Sequence, residues 1–331
     1  MTRPEPQSTP RKAHTPHIEY RALAADESLP ADVLAAITFG DVRRHDARCV
    51  RVGLQPLRGA GIVEIWRAAG PVSFGFDGPV RYSADGEFLV GAIEVDERGF
   101  LSVAAAAEAA YTAILRFQSS GAYPHLLRMW NYFDSINQGA GDQERYRQFC
   151  VGRAAALTAF PSRDLPAATA IGRRDGDPTL QVYFLAGKKA GLPLENPRQL
   201  SPYRYPRQYG PAAPSFSRAM LVSDDLVMIS GTASIIGHAS HHPGDLRGQI
   251  EETLANLNSV LQRAAAASAA IPARLDAQSL LKIYLRNAAQ ADVVEAALGE
   301  RLPRDVRYLI LEADICRGDL LVELDCIHGS A

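Results

Sequence analysis

The stretch "VRYLILEADICRGDLLVELDCIHG" (residues 306–329) decides how this chain is read. Two apolar runs flank a short "CRG" turn, so it reads as a pair of strands. A strand alternates its side chains between two faces. Leu320, Val322, Leu324 and Cys326 therefore share one face, and Leu321, Glu323, Asp325 and Ile327 the other. Both faces carry large apolar residues, as in a strand buried on both sides. Glu323 then stands in apolar surroundings, where a carboxylate without a partner is costly. Asp325, two residues on, reads as a satisfied carboxylate near the strand end.

The preceding residues extend the pattern. "AMLVSDDLVMISGTASI" (219–235) reads as two strands around a tight "SDD" turn. In "PGDLRGQIEETLANLNSVLQRAAA" (243–266), Ile250, Leu254, Leu257 and Leu261 recur at helical spacing. "SLLKIYLRNA" is a strand and "ADVVEAALGERL" a short helix, giving the order β-β-α-β-α-β-β. The middle of the chain repeats this order, from "VRYSADGEFLVGAIEV" through an Ala-rich helix to "PAATAIGRRDGDPTLQVYFLAG" (166–187). That last segment matches the terminal pair turn for turn, so the chain carries a diverged internal duplication. The expected division is a flexible, Pro-rich leader (1–17), a reduced N-terminal unit (18–75) and a central unit (76–190). A Pro/Tyr/Arg linker (191–214) and a C-terminal catalytic unit (215–331) follow. In the repeat, Glu323 corresponds to Gln181. An amide cannot act as an acid, so the duplication predicts one working cleft.

Bulk properties narrow the function classes. The 331 residues are 47% hydrophobic and 22% charged, which is globular composition. A net charge of −2 gives no broad electrostatic footprint for nucleic acid. No apolar run approaches the roughly 20 residues of a membrane span, and the N-terminal segment lacks the apolar core of a secretory signal. Cys49, Cys150, Cys316 and Cys326 are widely spaced without a CxxC pair, as reduced thiols of a cytoplasmic protein would be. His238, His241 and His242 cluster in "GHASHHPGD", a loop without metal-ligand spacing on a helix, so no metal is expected.

"SFSRAMLVSDDLVMISG", the 250–263 helix and "LLVELDCIH" resemble the Rid/YjgF-like fold, which pairs a curved mixed sheet with two helices. Two such units, the tyrosine-bearing linker and "RMWNYFDSIN…ERYRQFCVGR" together resemble the chorismatases, over residues 76–331. The resemblance implies an α+β fold with a pseudo-threefold arrangement of Rid/YjgF-like (chorismate-mutase-like) units, helices packed on one side of each curved sheet. It implies a monomer, no cofactor, and an active site between the central and C-terminal units. The implied substrate is chorismate, with pyruvate and a hydroxybenzoate as products. The implied acid is Glu323, protonating the enol-ether methylene. Gly231 and Cys316 match the members that form 3-hydroxybenzoate; some members form 4-hydroxybenzoate as well.

The chemistry of an enol ether sets what the site must hold. Protonating its CH2 carbon needs an acid that keeps its proton near neutral pH, and an apolar strand raises a carboxyl pKa by desolvation. Chorismate carries two carboxylates, which arginine forks match. Arg153 and Arg218 are the leading candidates, with Ser217 beside the latter; Arg145 and Arg307 are weaker ones. In "SPYRYPRQYG", Tyr203 and Tyr209 are expected at the cleft rim, stiffened by prolines. Gly231 marks a close approach in its strand, and Cys316 is expected to steer the breakdown of the ring intermediate. Trp130 reads as core. Two other functions fit the same fold: an imine deaminase, identified by ammonia release, and a non-catalytic small-molecule sensor, identified by binding without turnover.

Overall fold

The computed structural model describes residues 15–24, 27–40, 46–59, 61–158 and 160–329, so nearly all of the expected leader lies outside the described residues. The chain begins with β1 (His17–Ala22), β2 (Val33–Phe39), β3 (Cys49–Val52), β4 (Pro56–Arg58) and β5 (Ile62–Arg67). Four of these form a sheet in the order β1-β5-β2-β3. Strand β4 leaves it for another sheet.

The central unit contains β6 (Ser73–Asp77), β7 (Val80–Ala84), β8 (Phe88–Asp96), α1 (Val103–Ser120), β9 (His125–Asp134), α2 (Arg145–Ala156), β10 (Ala167–Arg173) and β11 (Thr179–Gly187). Its sheet runs β10-β9-β11-β8-β7-β6. It is mixed: β10 and β9 are parallel, and the other pairs antiparallel.

The C-terminal sheet takes in β12 (Leu192–Leu194), which lies in the expected linker and pairs with the next strand. Then come β13 (Ala219–Ser223), β14 (Leu226–Ala233), β15 (Ile235–Ile236), β16 (Ala239–Ser240), α3 (Leu246–Ala267), β17 (Ser279–Leu285), α4 (Ala291–Arg301), β18 (Arg307–Glu312) and β19 (Val322–Gly329). The sheet order is β12-β13-β14-β19-β17-β18-β4, with β4 from the N-terminal segment closing its edge. From β7 to β11 and from β13 to β19, the main elements follow the duplicated order read from the sequence.

Local chemistry explains the helices. Ser102 caps α1 by accepting the Ala105 N–H, and Asp245 caps α3 by accepting that of Gly248. Helix α3 buries Ile250, Leu254, Leu257 and Leu261 against the outer face of its sheet, together with Val322, Leu324 and Cys326 of β19. Helices α1 and α2 cover the central sheet in the same way. Gly152 in α2 lets the two helices touch, since a Cβ there would lie 1.9 Å from the Ala104 carbonyl oxygen.

The inner faces of the three sheets meet in a shared core that includes Ile37, Trp66, Trp130, Tyr183, Tyr284 and Ile327. Trp130 stacks on Tyr183 with ring centroids 4.5 Å apart, as its core reading expects. Charged groups sit inside this core. Lys282 donates to Glu64 at 2.8 Å, and the Trp66 indole donates to the other Glu64 oxygen at 2.8 Å. Asp325 accepts from Arg128, Trp130, Thr169 and Tyr284, so it is satisfied as expected.

Candidate active site

A cavity of about 470 Å³ opens between the central and C-terminal units, with the 202–210 segment at its rim. Glu323, Cys316, Arg153, Arg218, Gly231 and Tyr209 all line it. Glu323 projects from β19, whose neighbours are β14 and β17. Beside it the β14–β19 register slips between Ile229 and Thr232, a bulge that takes Ser230 and Gly231 out of the regular ladder. The freed Gly231 N–H donates to Thr169 Oγ1 of β10 at 3.0 Å. A Cβ on Gly231 would lie 2.0 Å from Glu323 Oε1, so only glycine leaves the carboxyl its place.

Burial, and then the negative charge of Asp325, push the Glu323 carboxyl up to about 8. Arg128, Arg218 and the Cys316 contact oppose the rise. A carboxyl in this range keeps its proton at neutral pH. The Cys316 sulfur lies 3.9 Å from Glu323 Oε2. Burial, followed by the nearby Glu323, pushes that thiol up and keeps it protonated.

Arg153 is buried on α2 with its guanidinium over Phe149, and its Nε and Nη2 have no partner. Buried guanidinium donors without acceptors beside a cavity are available to an anion entering it. Arg218 donates to the Leu200 carbonyl at 2.8 Å and to the Tyr205 hydroxyl at 2.7 Å, while its buried Nε has no partner. Arg317 stacks 4.0 Å over Tyr209 and donates to the His238 carbonyl, tying the rim to the C-terminal unit. Tyr209 in turn bonds His238 Nδ1 at 3.1 Å.

Four sequence candidates do not line the cavity. Tyr203 packs against the central hydrophobic core, and Tyr205, two residues on, takes the rim position. Ser217 is buried in the joint between the sheets: its N–H donates to the Pro166 carbonyl and its own carbonyl accepts from Ser230. Arg145 pairs with Glu97 at 2.7 Å instead of facing the cavity. Arg307, on β18, does not line it either. Tyr146, Arg147, Thr169, Tyr205 and Arg317 line the cavity without having been singled out. Arg317 had a signal in the sequence, being adjacent to Cys316. Among the described residues, no group of three or more His, Cys, Asp or Glu side chains is arranged to hold a metal ion.

Fold and cavity define a duplicated α+β protein of Rid/YjgF-like units with a cleft lined by buried arginines. Comparison with known proteins gives the family. A family model described as chorismatase FkbO/Hyg5-like, N-terminal, matches residues 64–186. A chorismatase of Streptomyces rapamycinicus is 38% identical over 276 residues, 79% of this chain and 80% of the relative. A 3-hydroxybenzoate synthase of Streptomyces hygroscopicus is 35% identical over 275 residues, 79% of this chain and 80% of the relative. A chorismatase crystal structure superposes with a TM-score of 0.84 at 32% identity, covering 96% of this chain and 99% of the other. The chain belongs to the chorismatase family.

Proposed function

We propose that this chain cleaves the enol ether of chorismate, releasing pyruvate and a hydroxybenzoate. The observation that carries the reading is Glu323: a carboxyl raised to about 8, facing a cavity in which buried arginine donors lack partners. Glu323 gives its proton to the methylene carbon, leaving an oxocarbenium ion at the ether carbon. Water adds there, and the resulting hemiketal collapses to pyruvate. Chorismate contains the same atoms as pyruvate and hydroxybenzoate together, so the water taken up returns when the ring aromatises.

Arg153 and Arg218 hold the two carboxylates, their free guanidinium N–H groups being the support for this role. Tyr209 closes the rim, and Gly231 leaves room for the acid and the methylene. Cys316, held as a thiol beside Glu323, steers the breakdown of the ring intermediate toward 3-hydroxybenzoate, with 4-hydroxybenzoate as a second product. The protein works as a monomer of three pseudo-symmetric units (residues 18–75, 76–190 and 215–331, with 191–214 as linker) in the cytoplasm. Four free cysteines support that compartment.

Incubation with chorismate, with pyruvate followed enzymatically and aromatic products by chromatography, tests the reading; absence of pyruvate overturns it. E323Q binds chorismate but loses on the order of 10³-fold in turnover. A rate near wild type removes Glu323 from the acid's role.

A further inference from the structure

The mechanism leaves unused a heavily bonded buried carboxylate, Asp325. Asp325 lies two residues beyond Glu323 on the same face of β19, yet it does not line the cavity. Its Oδ2 accepts from Tyr284 at 2.9 Å, Trp130 at 3.0 Å, Thr169 at 3.1 Å and Arg128 at 3.3 Å. Its Oδ1 lies 3.8 Å from the Lys282 ammonium. Every group within hydrogen-bond reach of Oδ2 is a donor and a cation faces Oδ1, a setting that suits an acceptor-only carboxylate. The donors come from β9, β10 and β17, so three strands converge on one side chain.

This arrangement reaches the acid by two routes. The first is charge: a fixed anion on the same strand face favours the neutral form of its neighbour. The second is position. Thr169 donates to Asp325, receives the Arg128 guanidinium at 2.5 Å and accepts the Gly231 N–H at 3.0 Å. Gly231 is the residue whose missing Cβ gives the Glu323 carboxyl its space.

We infer that Asp325 is a positioning residue, a buried anion whose charge holds the Glu323 proton in place and whose bond to Thr169 fixes the Gly231 backbone against the acid. This rests on the reading of Glu323 as the acid. It also explains why the core carries a neutral cluster of two cations, Arg128 and Lys282, and two anions, Glu64 and Asp325. Burial raises the acid's proton affinity most; Asp325 raises it further and Arg128 lowers it, so this pair adjusts the working pH that burial establishes.

Other charged and titratable groups also face the acid. Arg218 precedes β13, Cys316, Arg317 and Asp319 lie in the β18–β19 loop, Tyr146, Arg147 and Arg153 belong to α2, and Glu144 precedes it. Tyr205 and Tyr209 complete the rim, and Tyr284 is Glu323's register partner on β17. Of these only Tyr284 bonds Asp325; the others make no hydrogen bond to it, and Y284F, which removes that hydroxyl while keeping Asp325, separates the tyrosine's share of any shift.

D325N is the test, read by kcat/KM against pH and by infrared titration of the Glu323 carboxyl, whose C=O band is assigned by its loss in E323Q. Activity requires the protonated acid, so it falls as pH rises through the Glu323 pKa. Losing the nearby anion lowers that pKa. The descending limb and the band titration should both move down together by about one pH unit or more. Folded D325N with both unmoved overturns the inference, because a merely structural role would lower Tm and leave the limb in place.

Should D325N not fold, R128Q/D325N removes the ion pair as a unit and is compared with R128Q alone. A lower limb and titration in the double variant support the inference, and identical ones overturn it. The infrared titration does not depend on turnover. An active E323Q would therefore sink the acid assignment while leaving the coupling between the two carboxyls separately measured.

Discussion

At the scale of single residues, the site is built on small differences in space and charge. G231A places a methyl group where the Glu323 oxygen now lies, 2.0 Å from the ideal Cβ. The carboxyl must swing away, and a displacement of about 1 Å at a reacting group costs roughly 10² in rate. We expect kcat to fall by about that factor in a pyruvate-release assay, with Tm little changed. The acid carries a stability cost as well. Between the ordinary carboxyl range and about 8, the unfolded chain has lost the proton that the fold retains. Stability therefore falls as pH rises across that window, by about 1.4 kcal/mol per pH unit. E323Q escapes this, so its Tm should exceed that of wild type at pH 8 by more than at pH 5, as scanning calorimetry would register. The sequence exposed Glu323 because its partner in the repeat is Gln181. It hid the choice between Tyr203 and Tyr205, since alternate tyrosines in a Pro-rich coil have no periodicity to say which faces inward.

At the scale of elements, helix α2 sets the arginine in place. It packs on α1 through Gly152, the residue before Arg153. G152A would force the helices apart, because a backbone carbonyl cannot yield as a flexible side chain does. Overpacking of this kind costs about 1–3 kcal/mol, so a lower Tm is expected. A raised KM for chorismate should accompany it, as Arg153 moves with the helix; an unchanged KM would detach α2's packing from binding. The helices themselves were legible. Ile250, Leu254, Leu257 and Leu261 mark α3 by their spacing, and all four are buried. The bulge at Ser230 and Gly231 was not legible, because register depends on the partner strand rather than on β14's own residues.

At the scale of the whole molecule, the three sheets share one core, and charges at its centre join them. Lys282 and Glu64 pair between the C-terminal and N-terminal sheets at 2.8 Å. K282M leaves Glu64 buried without its cation, and breaking such a pair costs about 3–5 kcal/mol. Urea denaturation should show that loss, and E64Q/K282M, which removes both charges, should recover most of it. These partnerships were invisible in the sequence. Glu64 and Lys282 are 218 residues apart, and Arg128 and Asp325 are 197 apart. No local pattern encodes contacts made only when separate sheets close on one another. What the sequence did carry was the duplication itself, since each unit repeats its own short-range periodicities.

The pairing of β4 with β18 also constrains the order in which the chain can be completed. During translation β4 leaves the ribosome long before the strand it must join, with Arg58 opposite Ile310 and Pro56 opposite Leu311. At usual synthesis rates that gap lasts roughly tens of seconds. Throughout it β4 is without the strand it pairs with in the folded protein. The finished sheet therefore awaits nearly the whole polypeptide.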